Sequence, residues 1–288
     1  MTALEKAPRV ILAPNPSPLT GPGTNTFLLG DREFAVIDPG PDLPEHLDAI
    51  LAAAADGRIT HIFVTHSHLD HSPLARPLAH VTGAPVLAFG PSGAGRSPAM
   101  SRIVAAGYAG GGEGVDAAFT PDILLADGET VATGEWSLTA RHTPGHFGNH
   151  LSFQQGSDIF CGDLVLGWSS TLISPPDGDL TDYFRSMARL QCLGAARLYP
   201  AHGAPIEAPA ARLAELVAHR RDRTRQILEA LASAPGNARE LAARIYDVGP
   251  TLIHAASRNV LAHLIALDEL GAVRHDDEIS EDSRFYLK

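Results

Sequence analysis

Three histidines and one aspartate lie close together in the segment Thr65-His66-Ser67-His68-Leu69-Asp70-His71. An apolar run typical of a buried strand precedes this segment. Imidazole and carboxylate groups are the usual ligands of zinc and its first-row neighbours. On an extended backbone His66 and His68 would point the same way, whereas Asp70 and His71 come later and can face a second ion. The segment therefore predicts a metal site at the end of a strand.

The length and composition of the chain limit the class of protein in which such a site can lie. With 288 residues, of which 44% are hydrophobic, the chain can hold one large domain, or a medium domain with a small appendage. A formal net charge of −11 disfavours a surface that binds a phosphate backbone along its whole extent. Only Cys161 and Cys192 are cysteines, which fits a reducing compartment. The N-terminus has no apolar signal segment, and no run approaches the ~20 apolar residues of a membrane span. We expect a cytoplasmic protein with no membrane contact.

Short apolar runs alternate with segments of helical spacing over the first two thirds of the chain. His146, Asp163 and His202 also follow predicted strands, and such strand ends are where α/β sheets collect active sites. The predicted strands cover residues 10–12, 25–29, 34–38, 59–64, 86–89, 123–125, 136–140, 151–154, 159–161 and 197–199. The predicted helices cover residues 43–55, 72–82 and 180–193.

Residues 90–119 form a glycine-rich segment that includes Gly110-Gly111-Gly112 and has no long periodicity. A loop of this length inside a compact domain is usually functional or disordered. We predict that it forms a flap over the site.

The composition changes after residue 209. Helical spacing covers residues 210–232, 239–246 and 251–270, and apolar residues at 273 and 285–287 flank a charged turn. We therefore predict a first domain over residues 1–209 and a winged-helix-like domain over residues 210–288. The first helix carries the main basic feature of the chain, which is either a solvated face or a contact for RNA or an acyl carrier. Its arginines are Arg212, Arg220, Arg221, Arg223 and Arg225, with Glu215, Asp222 and Glu229 as potential partners.

The ordered motifs resemble the metallo-β-lactamase superfamily between residues 9 and 205. They are the segment 66–71, Pro144-Gly145-His146, Gly162-Asp163 and Ala201-His202-Gly203. The resemblance implies an αββα sandwich with two divalent metal ions, for which zinc is the first choice and manganese and iron are alternatives. It implies that His66, His68 and His146 hold the first metal, that Asp70, His71 and His202 hold the second, and that Asp163 bridges them. Asp70 would also be catalytic and orient the attacking hydroxide.

A finer resemblance, to the β-lactamase-like-protein-2 group, covers nearly the whole chain. It is carried by the segments 21–26, 146–150, 199–203, 221–227 and 259–264. Members of that group have a winged-helix tail, and some are endoribonucleases that prefer single strands. The chain departs from the group's common pattern at His71-Ser72-Pro73-Leu74, which puts the substrate in question rather than the metals.

Three further residues are candidates for supporting roles. Asp38 either occupies a turn or orients a metal ligand from behind. His150 is a candidate for supporting a metal ligand or contacting substrate, and Tyr199 either lines the pocket or only packs.

We expect a binuclear-metal hydrolase that uses a metal-bridging hydroxide on an ester, thioester or lactone-type bond of a small molecule. The alternative is a metal-dependent endoribonuclease acting on single-stranded RNA, and a third hypothesis is a non-catalytic binding module. The C-terminal domain would pack over the pocket or build a homodimer interface.

Overall fold

The computed structural model describes residues 7–110, 114–247, 249, 252–276 and 278–288. Two mixed β-sheets pack face to face, and helices cover the outer face of each sheet. This arrangement is the predicted αββα sandwich. No helix in these described ranges is long and apolar enough to span a lipid bilayer.

The first sheet has six strands that follow one another in chain order. Its first two pairings are antiparallel and the remaining three are parallel. The strands are β1 (Arg9–Leu12), β2 (Asn25–Leu29), β3 (Glu33–Ile37), β4 (Arg58–Phe63), β5 (Val86–Ala88) and β6 (Ile123–Leu124), and the helices on the outer face are α1 (Pro44–Ala53) and α2 (Ala75–Thr82).

The second sheet has five strands, and its helix α4 lies on the outer face. Only the pairing of β10 with β11 is parallel. The elements are β7 (Thr130–Ala132), β8 (Ser137–His142), β9 (Leu151–Gln155), β10 (Asp158–Gly162), β11 (Arg197–Pro200) and α4 (Leu180–Leu193).

Strand β3 shows why apolar runs, rather than alternating patterns, mark the central strands. Phe34 and Val36 pack beneath the helices of the first layer, whereas Ala35 and Ile37 pack between the two sheets. Successive side chains of a strand point to opposite faces, and both faces of this sheet are covered. Successive residues therefore join different cores, and all four are apolar.

The C-terminal region contains three helices and a two-stranded sheet. Leu213 and Leu216, early in the long helix, pack on the second layer of the sandwich, while Ile227 and Leu231 pack on the later helices. One helix thus joins both cores, and the boundary at residue 209 stays a prediction. The elements are α5 (Pro209–Ser233), α6 (Ala238–Ile245), α7 (Ile253–Glu269), β12 (Val273–His275) and β13 (Phe285–Leu287).

Part of the glycine-rich segment is helical, which its sequence did not predict. It contains helix α3 (Pro98–Ala105), capped by the Ser97 side chain, and Met100 and Ile103 pack into the C-terminal core. Local pattern does not reveal this helix because the contacts that order it are distant in sequence. The flap over the site stays a prediction. Further along, the Gly114 carbonyl accepts a hydrogen bond of 2.7 Å from the Leu69 amide, so this part does line the histidine motif.

Other boundaries differ from the predictions in smaller ways. Helix α2 begins at Ala75 rather than at residue 72, and β7 was not predicted. Residues 1–6 of the predicted first domain, Gly111 and Gly112 of the glycine run, and Thr251 at the predicted start of the last helix lie outside the described residues.

Candidate metal centre

The loops after five strands meet at one edge of the sandwich. Strands β3 and β4 are parallel, so the residues after their carboxyl ends, at 38 and 66–71, come together. Strands β10 and β11 are also parallel and bring Asp163 and His202 to the same edge. His146 follows β8 in the second sheet. Residues spread over more than half the chain therefore share one site.

The first group of potential ligands consists of His66, His68, His146 and Asp163, whose ligand atoms lie within 4.8 Å of one another. The Nε2 atoms of His66 and His146 lie 2.9 and 3.0 Å from Nδ1 of His68. His66 donates its Nδ1 hydrogen to the Thr65 hydroxyl (3.0 Å), because that hydroxyl itself donates to a carboxylate. Its Nε2 therefore presents a lone pair to the cluster, and converging lone pairs are stabilised by a cation between them.

The second group consists of Asp70, His71 and His202. Nε2 of His71 has no hydrogen-bond partner among the described residues, and it faces carboxylate oxygens of Asp70 at 3.4 Å and Asp163 at 3.7 Å. Nε2 of His202 lies 3.2 Å from Asp70 and 3.3 Å from Asp163. Asp163 also lies 3.7 Å from His146, so its carboxylate contacts members of both groups.

The electrostatics of the two groups differ. Burial disfavours charge at His71, but Asp70 and Asp163 outweigh it and raise the pKa of His71 well above its usual value. Burial also opposes charge at His202, where Asp163 prevails and raises the pKa to about 10. Against their own burial, the two carboxyl groups have a pKa well below the usual range because these imidazoles lie beside them. At His68 burial lowers the pKa to about 3, so that imidazole is neutral.

This donor set fits divalent cations. Neutral imidazole and ionised carboxylate are the forms that bind metals, and a bound metal would replace the protons that His71 and His202 otherwise hold. Seven oxygen and nitrogen donors without a thiolate suit zinc, manganese or iron.

Asp38 lies behind the second group, and its side chain is 1% exposed. Its carboxylate accepts hydrogen bonds from the Thr65 amide (2.7 Å), the Thr65 hydroxyl (2.7 Å) and Nδ1 of His71 (3.0 Å). These contacts fix the ring of His71 with Nε2 directed into the cluster. They support the interpretation that Asp38 orients a metal ligand.

His150 and Tyr199 do not border the cavity at the site. His150 is buried behind His66, at 5.3 Å between ring centroids, and its Nδ1 lies 3.0 Å from the Thr143 hydroxyl. The ring of Tyr199 stacks on Phe160 in the core between the sheets, at 5.0 Å between centroids. For both residues the positions favour packing or support over contact with substrate, because other side chains separate them from the cavity.

His150 packs directly against the backbone of Gly162, where a side chain would not fit. The φ of Gly162, +50°, is in the left-handed region, and a Cβ atom there would lie 2.5 Å from Nε2 of His150. Any side chain would therefore displace His150 or the strand end that carries Asp163.

Some residues that orient the ligands were not found from the sequence. Nδ1 of His146 lies 2.6 Å from the Leu172 carbonyl and 2.9 Å from the Thr171 hydroxyl. The Thr24 hydroxyl donates to Asp70 at 3.3 Å. Thr24 lies in the segment 21–26, one of those that carry the finer resemblance. No local pattern marks residues 171 and 172, which contact His146 only through the fold.

A cavity of about 210 Å³ opens onto the ligand groups. Trp168, half exposed, stands at its rim, and Arg258 reaches it from α7. The C-terminal region thus contributes Arg258 to the lining of the pocket, and its predicted role as a cover of the pocket or a dimer interface stays a prediction. A larger groove of about 860 Å³, between α3, α4, α5 and α7, includes none of the potential ligands. The smaller cavity is bordered by five of those ligands, His68, Asp70, His146, Asp163 and His202, and by Leu19, Val115, Leu166 and residues 169–172.

An αββα sandwich with imidazoles and carboxylates gathered at its strand ends is the framework of a metal-dependent hydrolase. A family model described as the metallo-beta-lactamase superfamily matches residues 19–202, and the chain belongs to that superfamily. A second model, described as the beta-lactamase associated winged helix domain, matches residues 238–282. The predictions of the superfamily, the sandwich and a C-terminal winged helix are confirmed.

The chain is 30% identical over 292 residues to a beta-lactamase-like protein 2 homolog of Drosophila melanogaster, covering 96% of this chain and 92% of that protein. It is 32% identical over 237 residues to the atrochrysone carboxyl ACP thioesterase of Aspergillus fumigatus, covering 78% of this chain and 65% of that protein. The crystal structure of a metallo-beta-lactamase family protein from Thermus thermophilus aligns with a TM-score of 0.77 at 26% identity, covering 98% of each chain.

Proposed function

We propose that this chain hydrolyses an ester, thioester or lactone-type bond of a small molecule and that it does so with two divalent ions. The observation that carries the proposal is the presence of two adjacent groups of potential ligands at one cavity. The proposed ligands are His66, His68 and His146 for one ion, Asp70, His71 and His202 for the other, and Asp163 for both.

Two such ions, when bound, lower the pKa of a coordinated water and polarise the bond under attack. Zinc is our first choice, with manganese and iron as alternatives that the donors also accept. Asp38 would keep His71 in the tautomer that offers Nε2 to the metal, because its carboxylate accepts the Nδ1 hydrogen.

Asp70 is the proposed catalytic residue. Its carboxylate borders the cavity and stays ionised because His71 and His202 outweigh the effect of burial on its pKa. An ionised carboxylate can accept a hydrogen bond from the attacking water and thereby hold a water lone pair toward the acyl carbon.

The size of the cavity favours a small acyl substrate. Its ~210 Å³ lie below the ~300–1,000 Å³ of pockets that enclose drug-sized ligands, so it suits the reacting end of a compact molecule. A thioesterase among the relatives supports an acyl bond, although this chain spans 65% of the length of that enzyme. The net charge of −11 agrees with a substrate that is not a polyanion.

The arginine run gives little support to the RNA alternative. Arg225 forms ion pairs with Asp222 and Glu229, and Arg212 pairs with Glu215. Their charges are therefore partly neutralised on the helix, as the solvated-face interpretation predicts for Arg225.

The test is metal content by elemental analysis combined with hydrolysis assays on a thioester, a lactone and a single-stranded RNA at low and high salt. We expect about two metals per chain and acyl hydrolysis that changes little with salt. Asp70→Ala and His146→Ala should abolish the activity, whereas Asp42→Ala, at an exposed position, should leave it intact. Cleavage of RNA that weakens steeply with salt would replace this proposal with the endoribonuclease. Unchanged activity in Asp70→Ala and His146→Ala would refute the metal-dependent mechanism.

A further inference from the structure

Two arginines of α5 turn away from solvent and hold one segment at the metal centre. We refer to this segment, residues 166–173, as the strap. Arg212 donates to the Leu166 carbonyl at 2.9 Å and to the Ser169 carbonyl at 2.7 Å. Arg220 donates to the Thr171 carbonyl. The basic run of the sequence therefore includes two side chains that donate to backbone carbonyls of the strap.

Arg220 is 1% exposed, and no carboxylate among the described residues forms an ion pair with it. Burying a cation is costly unless its donors are satisfied. Arg220 also donates to Oδ1 of Asn259 at 3.0 Å, and its guanidinium lies 5.5 Å from the ring centroid of Tyr183. Its two Nη atoms thus have acceptors, whereas its Nε atom has no hydrogen-bond partner among the described residues. Through the Nη atoms Arg220 connects the strap with the C-terminal helices.

Asn259, on α7, adds a second connection. Its Oδ1 atom accepts the Ile173 amide at 3.1 Å as well as the Arg220 guanidinium. Arg220 thus binds the strap directly at the Thr171 carbonyl and also binds the Asn259 side chain that accepts the Ile173 amide. Residues 171–173 cannot move without breaking these hydrogen bonds.

The held residues are those that orient a potential metal ligand. Thr171 and Leu172 present their hydroxyl and carbonyl oxygens to Nδ1 of His146, at 2.9 and 2.6 Å. His146 must donate its Nδ1 hydrogen there in order to offer an Nε2 lone pair to a metal. The chain of contacts runs from α5 and α7 through the strap to His146.

We infer that Arg220 and Asn259 are positioning residues for the metal held by His146, so that the C-terminal domain is needed for full metal affinity. The inference rests on the proposed function only in taking His146 as a metal ligand. It does not depend on which bond is hydrolysed.

A matched pair of variants at Asn259 tests it. Asn259→Leu removes the acceptor for both donors, whereas Asn259→Asp keeps an Oδ1 acceptor at the same place. Loss of partners behind a metal ligand typically costs 10–100-fold in metal affinity. We expect a loss of that size in Asn259→Leu, measured by competition with a chromophoric zinc chelator, and near-normal affinity in Asn259→Asp. Arg225→Ala, an exposed position on the same helix, is the control for α5.

Arg220→Lys keeps the charge but offers no planar pair of donors, so we expect an intermediate loss of affinity. Circular dichroism of the metal-free variants shows which of them fold. If a variant does not fold, Thr171→Val takes its place in the zinc titration, because it removes only the hydroxyl beside His146. A merely structural role would lower the melting temperature of Asn259→Leu without weakening zinc binding, and that result would overturn the inference. Wild-type protein that binds none of zinc, manganese and iron would overturn both this inference and the proposed function. Normal zinc binding in all variants, with acyl hydrolysis intact, would overturn this inference alone.

Discussion

Asp38 offers the sharpest test of the second metal group. The carboxylate is buried and accepts three hydrogen bonds, two from Thr65 and one from Nδ1 of His71. Asp38→Asn is the variant of choice because Asp38 has a φ of +49°, a conformation that asparagine tolerates and alanine does not tolerate without strain. Any loss can then be assigned to the side chain rather than to the backbone.

The magnitude follows from the contacts. An amide has one acceptor oxygen where the carboxylate has two, so in either orientation its NH₂ group faces the Thr65 or the His71 donor. A buried donor left without an acceptor costs about 1–3 kcal/mol. Losing the group that orients a ligand costs about 10–100-fold in metal affinity, which is about 1.4–2.7 kcal/mol.

The assay is zinc titration against a chelator, with metal stoichiometry by elemental analysis and unfolding of the metal-free protein by urea. We expect loss of one of two metals at limiting zinc and a drop in stability of the metal-free form. Asp42→Asn, a few residues away and exposed, is the control. Second-metal affinity within twofold of wild type in Asp38→Asn would refute the idea that this carboxylate orients His71.

Three further predictions concern protons and packing. Because the pKa of His202 is raised to about 10 and that of His71 is also raised, both hold protons at neutral pH, so zinc uptake should release protons to an indicator dye and zinc affinity should rise with pH. Burial lowers the pKa of His263 to about 3, below its unfolded value near 6.5. The stability that the neutral imidazole contributes is therefore present above pH 6.5 and is lost as the pH falls toward 3. His263→Gln should flatten this dependence of the unfolding free energy on pH, measured in urea, and an unchanged slope would contradict the prediction. Met100→Ala, in the core shared by α3 and the C-terminal helices, should cost about 2–5 kcal/mol of unfolding free energy, and a loss below 0.5 kcal/mol would show that α3 is not part of that core.

Much of the sandwich could be predicted because local pattern and long-range packing agree there. Central strands such as β3 carry an apolar run, here residues 34–37, because both faces of the sheet are covered. The long helix α5 keeps its apolar spacing over residues that join two different cores. Helix α3 was missed because its apolar residues pack on a domain that lies more than a hundred residues further along the chain.

The sequence by itself indicated the potential metal ligands and their order, because His66 to His71, His146, Asp163 and His202 each follow a strand end that the local pattern reveals. Only the tertiary structure decided how these ligands are held. The contacts of Asp38 with His71, and of Arg220 with the strap behind His146, join residues that are 33 and 49 positions apart. Nothing in the neighbourhood of an arginine on a helix distinguishes a solvated side chain from one that is buried. That difference arises only when the helix packs, because burial depends on which surface the other elements present to it.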